Sequence, residues 1–487
     1  MAVLDDLEPR EIFGFFEILA SIPRGSRNEK QVADWVVNFA TERGLEARQD
    51  QTHTVLVRKP GQGGLEGAPP LILHGHLDMV CEKEEGVEID FENDPIRLRV
   101  DGDYIAAEGT SLGADNGIGV SYILALLDSK DLPHPPLEAV LTAMEEQGKV
   151  GAGAFDHSQL TGKRMIDFNW ITDNEILAGC SGDMTFTVDV PAEWEAVTDA
   201  HSTARLLKVR GLIGGHCEFD IQLERANAVL ALSRALTMIL AKYDVRISNP
   251  HGGAQNTAIP ADAQVVLAVR PEDLHGVEAL VAELDGTLRR EYDVADPELR
   301  VELAVTELPA QVFSRAAAAR LANLTSLIPN GVLNWNLKVP GVVETSNNLG
   351  TIRTTEDGAR LMSTITSAQT SRKHEVFDRV RSLAALAGGG VTVDQFGLDA
   401  PEFPFQPNSA LLKVATETYR RVIGEEPEIH ISQCSLELGL FCHRVPGLET
   451  ISIGTELHDL HNPRETVSHR SVAKVWPLVR EVVAQLS

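Results

Sequence analysis

The chain has 487 residues, which is enough for two or three domains with sizeable hydrophobic cores. It carries 71 Asp and Glu residues against 43 Lys and Arg residues, a formal net charge of -28, which argues against nucleic acid or an anionic membrane as a partner. The N-terminus does not read as a signal peptide, and the five cysteines form no CxxC pair, so we expect a cytoplasmic protein with reduced thiols.

The N-terminal region predicts alternating helices and strands. Ser26 and Glu29 have the S-x-x-E spacing of a capping box, and the apolar residues that follow predict a helix ending near Gly44. Apolar runs predict strands at 54–57, 71–73 and 137–143, with a helix at 116–127. This order is typical of an α/β domain with a mostly parallel sheet, flanking helices and chemistry at the carboxyl ends of its strands.

A second block, of α+β type, is predicted for residues 184–401. Its predicted strands lie at 204–209, 264–269, 299–305 and 352–354, and its helices at 225–243, 277–292, 316–327 and 374–386. Glycine and prolines between 395 and 409 mark a boundary, after which a helix (410–423), a strand (450–453) and a helix (472–485) return. We therefore predict one domain from residues 1–183 and 402–487, with 184–401 inserted.

The first group of candidate site residues follows a predicted strand, in the segment His74-Gly75-His76-Leu77-Asp78. Residues two apart in extended backbone face the same way, so His76 can reach a metal while Asp78 accepts the other N–H of its imidazole. The alternative is a histidine at a strand end whose hydrogen bonds are satisfied within the protein.

Three further groups supply carboxylates and an imidazole. Asp115 lies in a glycine-rich stretch and begins a predicted helix, where its alternative role is to cap that helix. Glu145 and Glu146 follow a strand, so one can bind a metal while the other holds a water, unless they form a solvated acidic loop. His461 alone would be taken for a loop residue. Together these residues suit zinc, or manganese or cobalt, and a shared carboxylate suits a pair of ions.

Motifs along almost the whole chain resemble those of the co-catalytic zinc exopeptidases, a family that includes aminoacylase, peptidase T and the aminoacyl-histidine dipeptidases. The resemblance is closest to the last group. The matching segments are LILHGHLDMVCEK (71–83), GTSLGADNGIGV (109–120), TAMEEQGKVGA (142–152), GLIGGHCEFDIQLERANA (211–228), NTAIPADA (256–263), VETSNNLG (343–350), SLELGLF (435–441) and ISIGTELHDLHNPRE (451–465). The resemblance implies hydrolysis of a peptide bond in dipeptides or short peptides of the Xaa-His type.

The resemblance also implies roles for individual residues. Asp115 would bridge two zinc ions. His76 would bind one ion, and Glu146 and His461 would bind the other. Glu145 would act as the general base that deprotonates the attacking water. Manganese or cobalt could take the place of zinc.

Other implied roles concern orientation and substrate binding. Asp78 would orient His76, and the peptide bond between residues 115 and 116 is typically cis in the family. The inserted block would be a lid that also forms a homodimer. In the lid, His216 would stabilise the oxyanion of the tetrahedral intermediate, and Asn256 would lie near the substrate.

Three positions depart from the family pattern. Asn169 stands where the family has a ligand Asp, and its neutral amide oxygen would weaken the binding of the metal ion that His76 holds. Asp167 and Asp173 are nearby acids that could compensate. Thr366 stands where the family has an Arg for the terminal carboxylate of the substrate. Gln433 replaces a His near the substrate.

These departures leave three hypotheses. The first is an active dipeptidase, supported by Glu145 and by the intact ligands Asp115, Glu146 and His461. The second is a divergent amide hydrolase with a changed substrate, motivated by Thr366 and Gln433. The third is a catalytically silent homologue with an impaired second metal site.

Overall fold

The computed structural model of the chain describes residues 3–337 and 339–486. Its residues form two compact units. The first unit comprises Met1–Cys180, Glu402–Ser432 and Leu436–Ser487, and the second comprises Ser181–Pro401 and Gln433–Ser435. The assignment of residues 184–401 as an inserted lid and dimerisation domain stays a prediction.

Helices and strands alternate along the described residues. The helices are α1 (Arg10–Ser21), α2 (Lys30–Glu42), α3 (Ala114–Asp128), α4 (Val150–Ala154), α5 (Ala228–Lys242), α6 (Leu274–Glu291), α7 (Arg315–Leu327), α8 (Thr370–Ala387), α9 (Ala410–Ile423), α10 (Leu438–Arg444) and α11 (His469–Ala484). Among these described helices, none combines the length and the apolar character that crossing a membrane requires.

The strands of the described residues range in length from two residues to 17 residues. They are β1 (Glu46–Gln49), β2 (Val55–Lys59), β3 (Leu71–His76), β4 (Leu98–Asp101), β5 (Tyr104–Ala107), β6 (Leu137–Thr142), β7 (Arg164–Trp170), β8 (Glu175–Pro191), β9 (Glu195–Ala196), β10 (Thr203–Arg210), β11 (Gly215–His216), β12 (Arg246–Gly252), β13 (Ala258–Ile259), β14 (Ala263–Val269), β15 (Arg300–Val305), β16 (Gln311–Val312), β17 (Gly331–Trp335), β18 (Val343–Thr354), β19 (Gly358–Ser367), β20 (Thr392–Asp399), β21 (Glu428–Ser435), β22 (Glu449–Gly454), β23 (Leu457–His458) and β24 (Thr466–Ser468).

The main sheet of the first unit is mixed. Its strand order is β1-β2-β6-β3-β7-β22-β8. The central strands β6, β3, β7 and β22 run parallel, whereas β2 pairs antiparallel with both β1 and β6. Every residue of β3 and β6 is buried, as expected for parallel strands covered on both faces. The prediction of a mostly parallel sheet therefore holds for its centre, and its edge is antiparallel.

The register of β3 and β6 brings two predicted groups to one edge of the sheet. The two strands are parallel, and His76 pairs with Thr142 at their carboxyl ends. Asp78 follows β3, and Glu145 and Glu146 follow β6, so both chain segments leave the sheet at the same level. This is the edge at which α/β folds place their chemistry.

Helix α3 begins at this edge and is buried on all sides. Gly113 precedes it with a φ of 71°, a left-handed conformation that favours glycine. The peptide bond between Asp115 and Asn116 is cis, as the family resemblance implies. No side chain caps the helix, so the alternative that Asp115 serves as its cap is wrong.

The capping box predicted at residues 26–29 is also absent. Helix α2 begins at Lys30, and no side-chain hydrogen bond caps it. Ser26 instead donates to the Asp78 carboxylate at 2.8 Å, and the Glu29 carboxylate accepts the backbone N–H groups of Arg27 and Met144. Ser26 and Glu29 therefore contact residues far along the chain, Asp78 and Met144, rather than capping the helix.

The second unit is an antiparallel sheet packed against helices α5 to α8. Its strand order is β8-β19-β18-β12-β14-β10-β15, and each of these neighbours pairs antiparallel. Leu232 and Ile239 of α5 and Val265 and Leu267 of β14 lie in its core. The α+β prediction is right in type, but the predicted strand 352–354 is only the end of the twelve-residue β18.

Candidate metal centre

Four predicted ligands converge at the carboxyl edge of the first sheet. Nε2 of His76 lies 3.1 Å from Oδ1 of Asp115. Nε2 of His461 lies 3.4 Å from Oδ2 of Asp115 and 2.9 Å from Oε1 of Glu146. The atoms that His76, Asp115 and Glu146 offer lie within 4.8 Å of one another. Strand β3, helix α3, the turn after β6 and the loop between β23 and β24 each supply one of these side chains.

Asp115 presents one oxygen to each imidazole. Burial alone would raise its pKa, but hydrogen bonds with His461 and His76 hold that pKa well below its usual range. Burial would lower the pKa of His461, yet Asp115 and Glu146 raise it to about 11. The pKa of His76 is raised well above its usual value, against its burial, by Asp115 and Asp78. The cluster therefore holds excess negative charge that draws cations to it.

Asp78 holds both the ligand and the turn that carries the two glutamates. Its Oδ1 lies 3.4 Å from Nδ1 of His76, on the side of the ring away from Asp115. Its carboxylate also accepts the backbone N–H groups of Glu145 at 3.0 Å and of Glu146 at 3.2 Å. Nδ1 of His76 also lies 3.2 Å from the backbone carbonyl oxygen of Asp78. The orienting role of Asp78 stays a prediction, and its two contacts with the backbone of the turn were not foreseen.

Glu145 lies beside Glu146 and is only partly exposed. Exclusion of water raises its pKa well above the usual value for a carboxyl group, and the charge of Glu146 adds to this effect. Glu437 raises it further, whereas His76 opposes the rise. A carboxylate whose proton affinity is raised in this way is suited to accept a proton from water.

Asn169 is bound to the centre through Asn116. Its Oδ1 accepts a hydrogen bond from Nδ2 of Asn116 at 2.8 Å, and Oδ1 of Asn116 accepts the backbone N–H of His76 at 3.2 Å. The two acids that could compensate have other partners. Asp167 contacts Nδ1 of His74 at 2.7 Å, and Asp173 forms an ion pair with Lys474 at 2.9 Å.

Two buried side chains that the motif reading missed hold the backbone of the centre. The guanidinium of Arg24 donates to the carbonyls of Leu77, Asp78 and Gly113. The Glu465 carboxylate accepts the N–H groups of Leu112, Gly113 and Asp115 at 2.8, 2.9 and 3.2 Å. Glu465 lies in the same motif as His461, which is a signal that could have found it; Arg24 has no such signal.

His74 belongs to a second buried network beside the centre. Its Nε2 lies 3.1 Å from Oε2 of Glu437, which also accepts the Thr142 hydroxyl at 2.6 Å. Burial would lower the pKa of His74, but Asp167 and Glu437 raise it to about 9. Because residues 74, 76 and 78 alternate along one strand, their spacing could have indicated that all three face polar partners.

The remaining predicted residues lie in the second unit. His216 accepts the backbone N–H of Glu218 through Nδ1 at 3.2 Å. Asn256 donates to the hydroxyls of two threonines, Thr185 at 3.1 Å and Thr364 at 2.9 Å. The hydroxyl of Thr366 donates to the Glu218 carboxylate at 3.4 Å.

Gln433 completes this set of second-unit residues. Its amide donates to the hydroxyl of Ser346 at 3.2 Å. The predicted substrate contacts of His216, Asn256, Thr366 and Gln433 stay predictions.

Comparison with known proteins identifies the family. The model of peptidase family M20/M25/M40 matches residues 72–485. The cytosol non-specific dipeptidase of Escherichia coli strain K12 is 34% identical over 489 aligned residues, which cover 100% of this chain and 99% of that protein. The chain belongs to peptidase family M20/M25/M40.

Solved structures share the fold of this chain. Aminoacylhistidine dipeptidase from Vibrio alginolyticus superposes with a TM-score of 0.84 at 31% identity, covering 99% of this chain and 97% of that one. An M20 metallo-carboxypeptidase from Sulfolobus solfataricus shares the fold, with a TM-score of 0.55 at 15% identity and coverage of 98% and 99%. The predicted family and mixed α/β fold are confirmed, and the chain is a metallopeptidase.

Proposed function

We propose that this M20 peptidase hydrolyses dipeptides and short peptides with metal ions held by His76, Asp115, Glu146 and His461. The observation that carries the proposal is the convergence of these four side chains, with each oxygen of Asp115 facing a different imidazole. The dipeptidase names of the Escherichia coli and Vibrio relatives support a dipeptide substrate, and the Vibrio name supports a C-terminal histidine.

The donor set fits divalent transition-metal ions. Imidazole nitrogens and carboxylate oxygens suit zinc, with manganese or cobalt as alternatives, and a carboxylate between two imidazoles suits a pair of ions. The excess of negative charge around His76 and His461, which raises the pKa of both rings, is what such ions would neutralise. When bound, the ions supply positive charge that polarises the scissile carbonyl and makes water more acidic.

Glu145 is the proposed general base. Its raised pKa lets the carboxylate take a proton from the attacking water and then pass that proton to the leaving amine. Asp78 keeps this base in place through the backbone of the 145–146 turn and at the same time orients His76. The proton movement and the position of the ligand therefore depend on one buried carboxylate.

Asn169 makes the two proposed metal positions unequal. On the His461 side, Asp115 and Glu146 would offer two charged ligands to an ion. On the His76 side, Asp115 would be joined by the neutral amide oxygen of Asn169, which already accepts a hydrogen bond from Asn116. We therefore expect one tightly bound ion and one weakly bound ion.

The proposal also includes the substrate contacts, the cellular location and the oligomeric state of the enzyme. His216 would stabilise the oxyanion and Asn256 and Gln433 would contact the substrate, as the family resemblance implies. A cytosolic location is supported by the name of the Escherichia coli relative. A homodimer formed through residues 184–401 is part of the proposal, and the acidic chain is not expected to bind nucleic acid or membranes.

A second candidate is a peptidase whose substrate lacks a free carboxylate at the usual place. The position where the family resemblance expects an Arg holds Thr366, and its hydroxyl donates to the carboxylate of Glu218. A carboxylate beside this position repels another carboxylate and favours a neutral amide or a cationic group. This candidate retains the same centre and base and changes only the substrate class.

One experiment separates these functions. Metal content is measured, and a panel of Xaa-His dipeptides and their C-terminal amides is assayed with zinc, manganese or cobalt added. Faster turnover of the free dipeptides supports the first candidate, and faster turnover of the amides supports the second. An absence of metal and turnover, even in Asn169→Asp, would contradict both and favour a catalytically silent homologue.

A further inference from the structure

A second group of possible metal ligands lies in the first unit, outside the centre described above. It consists of Glu175, Glu428 and His430, whose ligand atoms lie within 4.8 Å of one another. Glu175 begins β8, and Glu428 and His430 lie two residues apart at the start of β21, a strand that pairs with β8. Residues two apart on a strand face the same side, so both β21 side chains point toward Glu175.

Trp170 holds one of these carboxylates in place. Its indole N–H donates to Oε2 of Glu175 at 2.7 Å, and its ring lies 5.1 Å from the His430 ring. Nδ1 of His430 is 3.7 Å from the same Glu175 oxygen, which is too far for a hydrogen bond. The carboxylate is therefore oriented by a neighbour that is not itself a ligand, as metal-binding carboxylates commonly are.

Within the described part of the chain, the two carboxylates of the group, Glu175 and Glu428, have no lysine or arginine partner. Two carboxylates at this separation repel each other, and a divalent cation between them would replace that repulsion with attraction. One imidazole and two carboxylates form a donor set typical of zinc and its first-row neighbours, with water completing the coordination.

We infer that Glu175, Glu428 and His430 bind a divalent first-row metal ion, separately from the peptidase centre. Ligand atoms about 2.1 Å from a common ion lie roughly 3.5 Å apart in tetrahedral geometry, so only a small inward movement is needed. Glu428 is exposed and His430 partly exposed, which gives the ion access and leaves room for that movement. The bound ion would tie the starts of β8 and β21 to Trp170.

Nickel binding tests this site because Trp170 reports on it. Ni2+ quenches the fluorescence of a nearby indole, and Trp170 is one of five tryptophans in the chain. The wild type, Glu428→Gln and His430→Ala are titrated with Ni2+ while bound nickel is counted per chain. The control is His374→Ala, which removes an exposed histidine that pairs with Asp399 at 2.6 Å in the second unit.

The expected result is one more bound nickel ion in the wild type and in His374→Ala than in the two site variants. Fluorescence quenching in Glu428→Gln and His430→Ala should require at least about tenfold more Ni2+. Dipeptide hydrolysis should be equal in all four proteins, because none of the changed residues belongs to the proposed centre or base. Equal nickel counts and equal quenching curves in all four proteins would overturn the inference.

Discussion

The two imidazoles of the metal centre face the same carboxylate from very different surroundings. His76 ends a buried strand, is 1% exposed and has Asp78 on the far side of its ring. His461 lies on a loop, and its side chain is 49% exposed. The buried half, with His76, has the neutral Asn169 nearby, whereas the exposed loop half, with His461, has the charged Glu146.

This contrast separates two contributions to metal affinity. Preorganisation favours the His76 half, because packing and hydrogen bonds hold its ligand before any ion binds. Ligand charge favours the His461 half, because a carboxylate attracts a divalent ion more strongly than an amide oxygen does. We expect charge to dominate, so that the His461 half binds its ion more tightly.

The largest effect should come from the base, which serves both halves. We expect Glu145→Gln to lower kcat by about 10²–10⁴-fold, because Glu146, the other carboxylate on the turn, is already engaged as a proposed metal ligand. Its metal content should equal that of the wild type, since the ligands are unchanged. Steady-state kinetics combined with metal analysis checks this. Retained activity would show that the base lies elsewhere, and lost metal would show that Glu145 is a ligand.

Removing each imidazole in turn compares the metal affinities of the His76 and His461 halves directly. His461→Ala should lose the tightly bound ion and most of the activity, with affinity reduced by at least about 10–100-fold. His76→Ala should lose the weaker ion and retain the tighter one. Titration of each apoprotein with zinc, followed by calorimetry, measures both affinities. The reverse order of losses would mean that preorganisation outweighs ligand charge.

Placing a carboxylate at residue 169 should bring the zinc affinity of the His76 half closer to that of the His461 half. Asn169→Asp should raise zinc affinity on the His76 side by about tenfold, since its carboxylate can both bind the ion and accept the Asn116 hydrogen bond. Asn169→Ala is the matched control and should lower or leave unchanged that affinity. If Asp and Ala variants bind zinc equally, residue 169 does not contact the ion.

The last prediction concerns the stability of the fold rather than activity or metal affinity, and it sets the pH range in which the variants can be compared. Burial lowers the pKa of His157 from 6.5 to about 4, so the folded protein favours the neutral ring. Its contribution to stability is complete above pH 6.5. As pH falls from 6.5 through about 4, the unfolded chain takes up a proton that the folded protein does not, and the free energy of unfolding drops by up to about 3 kcal/mol.

Urea unfolding at several pH values measures this dependence. His157→Gln has no titrating ring and should lose less stability than the wild type over the same interval. Parallel pH profiles for the two proteins would show that His157 does not contribute. Metal titrations are therefore best compared at or above pH 7.

The sequence anticipated the parts of the centre that follow from strand register. Apolar runs at 71–73 and 137–143 predicted the parallel pair whose ends bring His76 and Glu146 to one edge. The spacing of residues 76 and 78 predicted the imidazole–carboxylate contact. These inferences succeeded because a strand alternates its faces regularly and parallel neighbours end together.

Strand periodicity could not predict the contacts between segments that are far apart in the sequence. Ser26 looked like a helix cap, but its hydroxyl is taken by Asp78, which lies 52 residues away. Arg24 carries no local pattern that reveals which carbonyls it binds, and the motif around Glu465 does not reveal which N–H groups its carboxylate accepts. Periodicity describes one segment at a time, so it cannot tell which polar side chain will satisfy another segment's backbone.

The contact between Glu465 and the start of α3 has a consequence for biosynthesis. The carboxylate that holds the N–H of Asp115 is 350 residues further along the chain, and His461 is almost as distant. Domains fold as units while the ribosome works from the N-terminus, so the second unit is synthesised before the first has all its parts. We therefore expect a nascent chain to acquire its tightly held ion only after His461 and Glu465 have been synthesised.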